Sequence, residues 1–199
     1  MRRSVLPLVI SVMLAGSTAQ AATIAFNTDP FAGSTALGTP GRQIVPPAGS
    51  EPFISFDPTT DVFVFNSAVF GISDPLSFAT GAAASLPTSG TEVIVLQEFG
   101  PPMAAGIAAS LIAGRVTSPG PGVFVYFNTG LGVPRLVYST NLDDGTADLA
   151  VLARLTNLNA QSLSAFSAGN FDAINTVPEP ATLLLLGLAG VVAAVRRRS

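Results

Sequence analysis

Apolar residues fall in short, separated runs through the middle of this chain and in two longer, nearly uninterrupted runs close to its ends. The middle runs are β-branched and aromatic, a composition that suits a pleated, half-buried surface. Phe53-Ile54-Ser55-Phe56 and Asp61 to Phe70 (DVFVFNSAVF) read as strands, with the turn-forming Asp57-Pro58-Thr59-Thr60 between them. Glu92 to Phe99 (EVIVLQEF), Gly122 to Asn128 (GVFVYFN) and Arg135 to Thr140 (RLVYST) read the same way, the last two joined by a glycine-containing turn at 129–134. A short strand is expected at Thr23 to Phe26, inside an otherwise irregular segment from Ala22 to Glu51 rich in Gly, Pro, Ser and Thr. Residues 71–91 are turn-rich, with Pro75, Gly81, Pro87 and Gly90.

One helix is expected in the body, over Met103 to Val116. Ile107, Leu111, Ile112 and Val116 recur at helical spacing, and Pro101-Pro102 and Ser118-Pro119-Gly120 bracket them. Ala147 to Leu155 fits both periods: its odd positions are all apolar, while Leu149, Leu152 and Leu155 also suit a helix. The preceding turn, Asn141 to Thr146, favours a strand in a hairpin setting. Residues 156–176 are small and polar, with Phe166 and Phe171 as the last expected core contacts before a spacer. The expected fold is therefore mainly β, an antiparallel sheet or sandwich with one helix. Phe63, Phe65, Val93, Val95, Phe124 and Tyr126 are the candidate core positions, read as packing and not as a ligand platform.

Composition narrows the chemistry. Cysteine, histidine, lysine and tryptophan are absent from the whole chain. Serine and cysteine triads with histidine, ordinary zinc sites and lysine Schiff bases are thereby excluded. Carboxylate chemistry survives, but Glu92 and Glu98 on one strand lie about 20 Å apart at the usual rise, too far for a glycosidase pair. Asp57 and Asp61 flank a turn, where aspartate serves its own backbone. Asp143, Asp144 and Asp148 around Gly145 are the best calcium candidates, yet they miss the spacing of the twelve-residue calcium loop and read as a hairpin turn. Arg154 is placed to pair with one of them. No catalytic residue, cofactor or metal site is assigned. Between residues 22 and 176 there are four arginines against eleven carboxylates, a net charge of −7 that argues against a nucleic-acid footprint.

The two end runs carry the clearest message. Met1-Arg2-Arg3-Ser4 is a positive start, Val5 to Ala15 is apolar apart from Pro7 and Ser11, and Ala19-Gln20-Ala21 is a small-x-small cleavage site. Residues 1–21 therefore read as a signal peptide cut after Ala21 by signal peptidase, on the general export route; nothing around Arg2-Arg3 supports the twin-arginine one. At the other end stand Val177-Pro178-Glu179-Pro180, an uncharged run from Ala181 to Val195, and Arg196-Arg197-Arg198. A helix over 181–195 would be about 22 Å long, short for a bilayer core of about 30 Å, but the arginines can snorkel to the headgroups. The run is apolar all round, unlike a core helix with a polar face. Arginines beside the span belong on the cytoplasmic side, so the body lies outside.

This tail resembles the PEP-CTERM sorting signal of Gram-negative bacteria. The resemblance covers residues 177–198 alone, and it rests on all three parts occurring in order. It implies processing by exosortase, a multi-spanning membrane protease that cleaves near the Pro-Glu-Pro motif, often in bacteria that make exopolysaccharide and biofilm. The domain plan is thus signal peptide 1–21, exported β-rich body 22–176 and sorting region 177–199. The expected function is a non-enzymatic surface or extracellular-matrix protein, held transiently in the inner membrane with its C-terminus cytoplasmic. The alternatives are a carbohydrate-binding module with exopolysaccharide as its partner, and a permanently anchored single-span protein.

Overall fold

The computed structural model describes residues 21–46, 50–100, 102–117 and 119–175. The candidate span at 181–195 and most of the signal peptide lie outside them. Among the described residues no helix is long and apolar enough to cross a membrane.

The body is mainly β, but its sheets are mixed, not antiparallel. Strands β1 (Thr23–Phe26), β4 (Val62–Asn66) and β10 (Phe171–Ile174) form a small sheet in the order β1-β4-β10. Both pairings in it are parallel. The larger, seven-stranded sheet comprises β2 (Ile44–Val45), β3 (Phe53–Ile54), β5 (Phe78–Gly81), β6 (Val93–Leu96), β7 (Gly122–Asn128), β8 (Val133–Ser139) and β9 (Leu149–Leu155). Its order is β2-β9-β8-β7-β6-β5, with β3 also on β9. Strands β5, β6 and β7 run parallel, β7-β8-β9 is an antiparallel meander, and β2 and β3 pair parallel to β9. The meander is what local turn chemistry specifies. The parallel pairs need crossovers, and no hairpin signal marks them.

Two cores lie on opposite faces of the large sheet. On one, the small sheet packs to form a sandwich, bringing Phe63, Phe65 and Phe171 against Val93, Val95, Val123, Val125, Leu136 and Leu152. On the other, helix α2 (Ala105–Ala113) covers Ile94, Leu96, Phe124, Tyr126, Val137 and Val151. All six candidate core residues are completely buried, but they divide between these two cores. Strand β6 is apolar at every position because both of its faces are covered. Helix α2 presents Ala105, Ala108, Ala109 and Ile112 to the sheet and leaves Ile107 and Leu111 exposed, so alanines, which allow close approach, form much of the inner face.

Other segments depart from the expected plan. The run 61–70 is not one strand: Asn66 ends β4, and its side-chain oxygen accepts the N–H groups of Ala68 and Val69 to cap a short helix, α1 (Ser67–Phe70). Gly71, in the left-handed region at φ 65°, closes that helix. The stretch expected to end in a spacer contributes short 3-10 turns at Gln161–Ala165 and Ala168–Asn170, then β10, which buries Phe171 and Ala173. Likewise, the entry segment buries Phe31 and Ala36 and supplies β2, and the turn-rich 71–91 supplies β5. Aromatic stacking links the pieces: Phe56 lies between Phe63, at 4.1 Å between centroids, and Phe166, at 5.4 Å. Tyr138 packs edge-on to Phe70 and donates its hydroxyl to the Phe70 carbonyl at 3.0 Å; burial pushes its pKa up to about 12.

Strand β9 is a strand, as the hairpin setting required, and a bulge in it has a chemical consequence. Leu136 pairs with Ala153 and Val137 with Val151, leaving Leu152 as the extra residue. Ahead of the bulge Ala150 and Leu152 face the sandwich core; beyond it Ala153 and Leu155 do. Strict alternation would have driven Arg154 into that core. The bulge turns it to the opposite face, beside Arg135.

Candidate functional site

Two of the body's four arginines, Arg135 and Arg154, stand directly opposite each other on β8 and β9. Glu51 bridges them. Its carboxylate accepts Nε of Arg135 at 2.6 Å and Nη2 of the same side chain at 2.6 Å, a bidentate pair. Arg154 Nε lies 2.7 Å from Oε2 of Glu51 with its N–H not aimed at the oxygen, so that contact is Coulombic. The Arg154 guanidinium also sits 5.2 Å from the ring centre of Phe53, a side chain that is 70% exposed. Tyr126 extends the network, its hydroxyl accepting Nδ2 of Asn128 at 2.9 Å and approaching Nη1 of Arg135 at 3.4 Å. Burial lowers the Arg135 pKa, but its hydrogen bonds to Glu51 and then Tyr126 outweigh burial and hold it above the ordinary value. A cleft of about 320 Å³ opens beside this trio, walled by Ile44, Val45, Ser50 and Val151. Arg154 therefore does not pair with the aspartates of the 141–148 turn.

Two of those aspartates, Asp144 and Asp148, hold backbone N–H groups. Asp144 accepts the N–H and O–H of Thr146, each at 2.7 Å, and these bonds lower its pKa. Asp148 accepts Gln43 N–H at 2.6 Å and ties β2 to β9. Among the described residues no group of three or more acidic, histidine or cysteine side chains is placed to hold a metal. Glu92 and Glu98 are likewise engaged with backbone. Glu92 accepts Ser73 N–H at 2.7 Å and the Ser77 hydroxyl at 3.2 Å, at the edge of an open cleft of about 490 Å³, and Glu98 accepts Ala83 N–H at 3.2 Å.

The small sheet organises both ends of the body. At its start, Asp61 is 7% exposed and accepts three donors: Ala22 N–H at 2.8 Å, Asp57 N–H at 2.8 Å and the Thr60 hydroxyl at 3.1 Å. The bond from Ala22 and then that from Asp57 hold its pKa below the ordinary carboxylate value, outweighing the desolvation that opposes them. Asp57 in turn accepts Thr59 N–H and O–H as a turn residue. Ala21, the last residue of the expected signal peptide, is exposed; Ala19 lies outside the described residues. At the far end of the sheet β10 stops at Ile174, three residues before Val177.

Comparison with known proteins decides the nature of the segment beyond β10. Residues 176–198 match the PEP-CTERM protein-sorting motif. The tail is a PEP-CTERM sorting signal. It spans the sequence-assigned Val177, Pro178, Glu179, Pro180, Arg196, Arg197 and Arg198, all outside the described residues. PEP-CTERM tails imply processing by exosortase, a membrane protease, and point to export and cell-surface targeting. No curated protein and no solved structure matches the chain.

Sequence reasoning missed Glu51, Arg135 and the bond from Ala22 to Asp61; that Asp61 also serves its own turn, through Asp57 N–H, was expected. A signal for the arginines was present: each is the one charged residue in a largely apolar strand, VPRLVYS and LAVLARL. Glu51 carried none, since it lies 84 residues from Arg135.

Proposed function

We propose that this chain is an exported, non-enzymatic protein of the surface or extracellular matrix of a Gram-negative bacterium. In this reading signal peptidase removes residues 1–21, the tail holds the body transiently at the outer side of the inner membrane, and exosortase acts near Pro178-Glu179-Pro180. The observation that carries it is the sorting motif at residues 176–198, which begins two residues after β10, the last described strand. Asp148, Asp61, Glu92 and Glu98 all support backbone and turns, which favours a structural role over carboxylate catalysis. The test is an internally tagged chain expressed in paired strains with and without exosortase, with the mature mass compared. Loss of the tail only in the first strain is the expected result. An intact tail in both would overturn sorting and leave a permanently anchored protein.

One observation favours a second reading. The exposed Phe53 ring, with Arg154 over it beside the cleft, suits an acidic polysaccharide of the matrix better than a neutral one. Retention on immobilised acidic exopolysaccharide that Phe53→Ala abolishes would select it; equal retention of the variant would dismiss it.

A further inference from the structure

Asp61 is an unusual acceptor to find at the start of a strand. It is almost fully buried, and no described residue offers it a cationic partner. Two main-chain nitrogens donate to it at 2.8 Å, that of Ala22 to one carboxylate oxygen and that of Asp57 to the other. The carbonyl of Ala22 accepts Val62 N–H at 2.9 Å, so Ala22 is gripped on both sides before β1 begins at Thr23. Ala22 is also the residue that cleavage after Ala21 would make the first of the mature chain.

We propose that Asp61 is the binding site for the α-ammonium group of the mature N-terminus, formed when the leader is removed. The proposal rests on residues 1–21 being a signal peptide cut after Ala21. Hydrolysis of the Ala21–Ala22 peptide adds water across the bond, leaves a carboxylate on Ala21 and frees an amine on Ala22 that takes up a proton. A neutral amide donor to a buried carboxylate thereby becomes a positive one, in the same place and at the same oxygen. The bond is charge-assisted through its carboxylate before processing; cleavage adds the attraction of two opposite charges at the same contact, so β1 is held more firmly after processing than before it. Asp57 is the other titratable group at this end of the sheet among the described residues; its carboxylate is occupied by Thr59, while its N–H donates to Asp61 Oδ2. From the β10 side the facing group is Asn170, which is neutral and donates to the carbonyls of Pro58 and Asp61.

The composition supplies a clean readout. With no lysine anywhere in the sequence, the α-amine is the single primary amine of the mature protein. The whole chain is exported in a bacterial host, its terminus identified by mass, and the rate of acylation by a hydroxysuccinimide ester followed against pH. An ordinary α-amine titrates at about 7.7–8.0, and an adjacent carboxylate raises such a group by about one unit or more. The expected result is a terminus at Ala22 whose acylation near neutral pH is about tenfold slower than in the same protein unfolded in guanidinium. Asp61→Asn, shown to be folded by circular dichroism, is expected to abolish the difference; where that variant does not fold, the comparison of folded with unfolded wild type alone decides. A terminus at Ala22 that reacts equally fast folded and unfolded would overturn the pairing while leaving export intact. A terminus elsewhere, seen by mass alone, would overturn the cleavage position and the pairing with it.

Discussion

Glu51→Ala tests whether the bridge between β8, β9 and the 50–54 segment is structural. The Glu51 side chain is 8% exposed and that of Arg135 15%, so removing the carboxylate leaves a guanidinium largely without water and without its two 2.6 Å acceptors. Breaking a buried pair in this way costs about 3–5 kcal/mol. The lower end applies here, because Arg154 is 30% exposed and can rehydrate. A loss of about 3 kcal/mol lowers the melting temperature of a domain of this size by about 6–12 °C. Urea denaturation of the processed protein followed by far-ultraviolet circular dichroism measures it, since tryptophan is absent. A companion variant, Glu51→Leu with Arg135→Met and Arg154→Leu, removes all three charges together and is expected to regain most of the loss, since apolar replacement of a buried ionic group is often neutral or stabilising. A Glu51→Ala protein within about 0.5 kcal/mol of wild type, the ordinary range for a surface change, would refute the reasoning.

Three further outcomes are expected from the packing and electrostatics. Because the Asp61 pKa is held below its ordinary 3.8, its hydrogen bonds contribute stability that is fully present above that value and is lost as pH falls through the lower folded value. Urea midpoints of wild type and Asp61→Asn should therefore differ by a constant amount near neutrality and converge in acid below about pH 4. Phe56→Ala, at a completely buried ring stacked on both faces, should cost about 3–5 kcal/mol in the same assay. Gly122→Ala would place a methyl 2.5 Å from the Glu92 carbonyl and against Leu142, where β6 and β7 meet; a loss of about 1–3 kcal/mol is expected, and none would mean that the strands separate there freely.

What could be read from the sequence was local. Strands β1 and β7 sit where alternation and turn residues put them, because each is defined by its own pattern and flanks. The α2 helix is present, and of the large apolar positions expected in it Ile112 and Val116 are buried while Ile107 and Leu111 are exposed; the rest of the inner face is Ala105, Ala108 and Ala109, selected by tight packing on the sheet. Parallel pairing was illegible, since the partners in the small sheet come from residues near 24, 64 and 172 and no turn connects them. Val69-Phe70 looked like strand because the capping ability of Asn66 and the left-handed Gly71 outweighs the β preference of two residues. The Arg154 partner was misplaced for a geometric reason. Arg154 and Asp148 are six residues apart along an extended strand, about 20 Å, while Glu51 arrives from a distant segment.

The parallel small sheet has a mechanical consequence. The start of β1 lies beside Val62 and the end of β10 beside Asn66, at opposite ends of the central strand to which both are bonded. Tension between the start of β1 and the end of β10 therefore runs along the strands in opposing directions. The ladders are loaded in shear, with their hydrogen bonds sharing the force, unlike a hairpin peeled one bond at a time. Forced extension reads the unfolding rate. Pulling from both ends should thus require a higher rupture force than pulling across the β7–β8 hairpin, so the body resists stretching along its own length more than peeling from its side.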